Sequence, residues 1–147
     1  LTTIILINMI VGLISVDPNI SYTINIFFAV IYIVVTLLFI KICLGIQDNN
    51  KGTQNLFSSR RIQVSSGILG IHALIATFTG IISISGIVDE NSIIFIFLII
   101  SLYAWFVNGH VFKNAFDTTM SIGLAISLLH SIACVFIMML FIQVLIL

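Results

Sequence analysis

His72 and His130 are the only ionisable side chains deep inside the long apolar stretches of this 147-residue chain. Burying such a group in hydrocarbon is costly, which makes both the first candidates for function. His72 follows Val64 by eight residues and His130 follows Met120 by ten. If both helices enter from one side, about 1.5 Å of rise per residue puts both imidazoles roughly 12–15 Å below one surface.

Two imidazoles at equal depth suit axial ligation of one haem iron. The small-residue line Gly123, Ser127, His130 and Cys134 would make room for the macrocycle, and Arg60 or Arg61 would hold its propionates. That site would move electrons to or from a quinone. The plainer chemistry is a neutral histidine hydrogen-bonding across a helix seam, with Ser127, Ser131 and Thr79 as partners. No haem signature accompanies the pair, so interhelical histidines are the expectation and a haem b anchor is the alternative. No catalytic residue and no metal site is expected. Cys43 and Cys134 lack close spacing and read as small buried hydrophobes. His110, beside Trp105 and Lys113, reads as a solvated interfacial residue.

The elements that must position these residues are membrane helices. Hydrophobic residues make up 61% of the chain and charged residues 7%. Ordinary globular chains carry about 25% charged residues, so no soluble domain is expected. Net charge is zero, which gives no argument for nucleic acid. The central stretch, Val64–Val88, is uncharged and longer than the roughly 20 residues a bilayer crossing needs. Its helical periodicity sets a bulky stripe, Ile68, Ile71, Ile75, Phe78 and Ile82, against a small one, Ser66, Gly70, Ala73, Thr77 and Gly80. The small stripe is expected to pack on neighbouring helices and the bulky one to meet lipid.

Taken in order, the spans are 1–16, 22–46, 64–88, 93–112 and 120–147, forming one transmembrane domain over 1–147. The fold class is all-α, a polytopic bundle of five spans, or four if the first segment does not cross. Leu1–Val16 lacks a basic leader and a small-residue cleavage site, so it reads as a retained segment ended by Asp17-Pro18-Asn19. Lys41 sits near the end of the second span and extends its amine to the interface.

Basic residues orient the bundle. Lys41, Lys51, Arg60, Arg61 and Lys113 all fall at or in the connections 47–63 and 113–119, whereas the connections around Asp17 and Asp89-Glu90 have none. The positive-inside bias then puts those two loops on the cytoplasmic or matrix side, with a cytoplasmic N-terminus. Arg60, Arg61, Lys51 and Lys113 are expected at lipid phosphates, each contributing on the order of 1 kcal/mol. Tyr103, Trp105, Phe106 and Phe112 read as an interfacial aromatic belt.

No span carries a midplane carboxylate, and Pro18 is the only proline. A secondary transporter acting alone is therefore disfavoured. The sequence reads as a non-catalytic integral subunit that packs, scaffolds or stabilises a larger complex in a bacterial or organellar inner membrane. Its expected partners are other integral subunits and phospholipids. A small channel or transporter formed by oligomers is the third reading.

Overall fold

The computed structural model describes Thr3 and residues 22–51, 57–85 and 90–146. It is all-helical over these residues, with no strand, and has four long helices: α1, Tyr22–Lys51; α2, Phe57–Ser85; α3, Glu90–Phe116; α4, Met120–Ile146. Three are long and apolar enough to cross a membrane, over Ile26–Gln47, Ser59–Ile82 and Met120–Val144. The five-span count finds no support, because four helices are present and, Thr3 apart, the expected first span lies outside the described residues.

The helices also run past the expected spans. α2 begins at Phe57 instead of Val64 and α1 continues to Lys51. Polar residues at a membrane surface do not stop a helix unless a breaker intervenes, and the 57–63 stretch contains neither glycine nor proline. Arg60 and Arg61 thus occupy the first turns of α2, not a loop.

Each helix packs on its chain neighbours, and α1 closes on α4, giving a ring of four. The ends alternate. Gln47 near the end of α1, Arg60 near the start of α2 and Phe116 at the end of α3 meet through hydrogen bonds, while Phe27 near the start of α1 meets Phe141 near the end of α4. This is an up-down-up-down bundle. Arg60, Arg61, Lys113 and, one to two turns further in, Lys41 gather toward one end, called here the basic end.

The α3–α4 connection shows how the chain reverses. Asp117 sits in the left-handed region at φ 50°, and the Thr118 amide bonds back to the Lys113 carbonyl at 3.1 Å. That six-to-one bond is the Schellman ending, whose left-handed residue is usually glycine. The Thr119 carbonyl then accepts from the Gly123 amide at 3.0 Å, opening α4. A non-glycine residue pays for this geometry in Cβ strain. Asp117→Gly is therefore expected to raise stability by up to about 1 kcal/mol, after the glycine's larger unfolded-state entropy is subtracted. Asp117→Asn should change little, because the carboxylate lies between one helix C-terminus and one N-terminus whose dipoles oppose. Equal unfolding midpoints for all three proteins in detergent would refute the strain account.

Burial follows helical spacing. In α4 the buried line is Gly123, Ser127, His130 and Cys134, and Leu128, Leu129, Ile132, Val135, Phe136 and Met139 face outward. In α1 the stripe Phe27, Val30, Val34, Leu38, Ile42 and Ile46 is exposed, opposite buried Ile31, Val35, Thr36, Ile40 and Leu44. The core nearest the basic end consists of Ile40, Leu44, Val64, Ile68, Phe112 and Phe116.

α2 departs from the sequence expectation. Ile68, assigned to the lipid-facing stripe, is fully buried, as is Leu69. Of the small stripe, Ala73 and Gly80 are buried, Ser66 and Gly70 are half-buried, and Thr77 faces outward. Toward the basic end α2 packs Ile68 into the core with Ile40, Leu44 and Phe112, while Ser65 beside it is also fully buried, so the inward face mixes large and small residues. Thr77, on the outer face, donates its hydroxyl to the Ala73 carbonyl at 2.8 Å, which satisfies it without water.

Candidate functional site

The site forms where α1 closes on α4. His130 is 2% exposed. Its Nε2 lies 3.1 Å from Thr36 Oγ1 on α1 and 3.4 Å from Cys134 Sγ, one turn along α4. Three rings surround the imidazole, with centroids at 5.2 Å for Phe39, 6.0 Å for Phe112 and 6.1 Å for Tyr32. Tyr32 also stacks on His72 of α2, at a centroid distance of 3.9 Å and 22° between planes. The two histidines found in the sequence are thus joined through one tyrosine, and side chains from all four helices converge here.

Axial ligation of a single iron needs the two Nε2 atoms to face each other across a flat macrocycle. Here Tyr32 fills the space against His72 and reaches His130, while Thr36 and Cys134 hold the His130 Nε2. Tyr32 thus occupies space that a macrocycle bridging the two imidazoles would need. Among the described residues, no three His, Cys, Asp or Glu side chains come together as a metal site.

Histidine partners differ from those the sequence suggested. Ser127 Oγ donates to the Trp105 carbonyl at 3.2 Å, Ser131 to the Ser127 carbonyl at 3.0 Å, and Thr79 to the Ile75 carbonyl at 2.9 Å. Tyr32 and Thr36 were missed. Their signal was present: Tyr32, Thr36, Phe39, Cys43 and Gln47 recur every three to four residues, and this line of polar and aromatic residues runs through an otherwise aliphatic helix.

A second polar cluster ties the basic end together. Arg60 donates to Gln47 Oε1 at 3.0 Å and to the Ala115 carbonyl, and Gln47 Nε2 donates to the Phe116 carbonyl at 2.7 Å. The last carbonyls of a helix have no intrahelical donor, so this pair caps α3 with side chains from α1 and α2. Arg60 is half-buried in that role, whereas Lys113 lies in the last turn of α3 and Arg61 lines a groove between α1 and α2. The side chain of Lys51 lies outside the described residues.

Along the α3–α4 seam, Trp105 Nε1 donates to the Leu124 carbonyl at 3.1 Å while the Trp105 carbonyl accepts from Ser127. Trp105 therefore clamps two helices and is half-buried, unlike a belt residue. On the same seam a Cβ on Gly123 would collide with the Gly109 carbonyl oxygen. His110 is exposed beside this crossing.

What these features define is a class, an all-helical bundle with membrane-length helices and a buried histidine–tyrosine cluster. Comparison with protein-family models, with curated proteins and with solved structures gives no match.

Proposed function

We propose that this chain is a non-catalytic integral membrane subunit that packs within and stabilises a larger membrane assembly. The observation that carries the reading is the use made of its deep ionisable groups. His130 and His72 bind helices to one another through Thr36 and Tyr32 of α1, so they work as interhelical fasteners in the way polar side chains commonly do in lipid. Arg60 is likewise engaged in holding helix ends. The polar chemistry is directed at rigidity, and the outer faces of α1 and α4 are broad aliphatic surfaces for lipid or partner helices.

The assembly belongs to a bacterial or organellar inner membrane, with the basic end on the cytoplasmic or matrix side. Solubilisation in mild detergent provides the test. The tagged chain should migrate far above its 16.2 kDa mass together with other integral membrane polypeptides at fixed stoichiometry. Recovery solely as a monodisperse single chain, with full ligand competence of its own, would contradict the proposal.

A further inference from the structure

A cavity of about 190 Å³ lies in the groove between α1 and α2, walled by Leu37, Leu38 and Lys41 on one side and by Arg61, Ile62 and Ser65 on the other. Leu38 and Ile62 are exposed, at 52% and 44%, so the groove opens on the outer face of the bundle. Its floor is Ser65, which is 0% exposed. The Ser65 Oγ is buried and has no hydrogen-bond partner. Ser85, Ser127 and Ser131, also helical, each donate to a carbonyl. A buried hydroxyl without an acceptor is unfavourable, and this one lines a cavity flanked by two cations.

The position matches a lipid headgroup. Lys41 precedes Gln47, the end of the apolar part of α1, by six residues, and Ser65 follows Ser59, the start of that of α2, by six. Because the helices run antiparallel, both lie about 9 Å inside the same end, within reach of the headgroup layer for a long basic side chain. Lys41 offers a compact ammonium and Arg61 a planar fork that suits phosphate. Leu37, Leu38 and Ile62 offer acyl chains an apolar wall that a free inorganic anion would not use.

We propose that this groove binds one anionic phospholipid, whose phosphate accepts a hydrogen bond from Ser65 Oγ and pairs with Lys41 and Arg61. The glycerol-proximal carbons of its acyl chains lie along Leu37, Leu38 and Ile62. The site is independent of whether the chain works as a subunit.

The test uses delipidated full-length protein in neutral detergent, titrated with phosphatidylglycerol, with phosphatidylcholine of the same acyl chains, or with inorganic phosphate. Thermal midpoint and native mass spectrometry provide the readouts. Phosphatidylglycerol should bind on the order of tenfold more tightly than phosphatidylcholine. Lys41→Gln combined with Arg61→Gln should abolish that preference. Ser65→Ala removes a hydroxyl that bonds nothing in the protein, so it should fold normally and weaken phosphatidylglycerol severalfold. Equal binding of the two lipids, or a preference that survives the double substitution, would overturn the site. Inorganic phosphate matching phosphatidylglycerol would mark a bare anion site and equally overturn the lipid assignment.

Discussion

Gly123→Ala is expected to cost the bundle about 3 kcal/mol, at the upper end of ordinary overpacking penalties. The added Cβ would collide with the Gly109 carbonyl oxygen and sit 2.9 Å from the backbone nitrogen of Lys113. Both are main-chain atoms, so no rotamer change relieves the clash, and α3 and α4 must separate. Separation also loosens the Trp105–Leu124 and Ser127–Trp105 hydrogen bonds on the same seam. Gly109→Ala is a useful comparison: its nearest neighbour, at 2.7 Å, is the Leu124 Cδ2, a movable side-chain end, although Leu124 Cα follows at 3.2 Å. It should cost less. Reversible unfolding in mixed micelles would rank the two, and the reverse order would show that this crossing does not limit stability.

His130→Ala should destabilise by a comparable amount, about 3 kcal/mol. Two effects add. A cavity opens among Phe39, Phe112 and Tyr32, and the fully buried Thr36 hydroxyl loses its partner across the α1–α4 seam. Combining His130→Ala with Thr36→Val separates them. Hydrogen bonds between membrane helices average about 0.6 kcal/mol and reach about 1.7, so the double-mutant coupling should fall in that range and the remainder belongs to packing. A His130→Ala protein with wild-type stability would remove the histidine from its fastening role.

The helical class was legible in the sequence because composition and periodicity act along a single helix. The buried line of α4, Gly123 to Cys134, could be read for the same reason. What escaped depends on rotation about the axis relative to neighbours. α2 is apolar nearly all round, so nothing in its own pattern says that Ile68 turns inward and Thr77 outward. Helix ends escaped too: Arg60 and Arg61 looked like loop residues because charge was taken to end the span, whereas the helix begins at Phe57 and delivers Arg60 to carbonyls of α3. The helical line through Tyr32 marks an inward face, but not its place between the histidines: Tyr32 is 40 residues from His72 in sequence and only the ring closure brings them together.

That closure implies an order of assembly. The α3–α4 hairpin turns on residues 117–119 and makes the most extensive helix–helix interface among the described residues, so its contacts form with almost no loop to close. Thr36 and His130, by contrast, are separated by 94 positions and belong to the first and last helices described here. Their hydrogen bond cannot exist until α4 has swung against α1. The latch is therefore the last thing to engage, and it reports that every described helix has arrived.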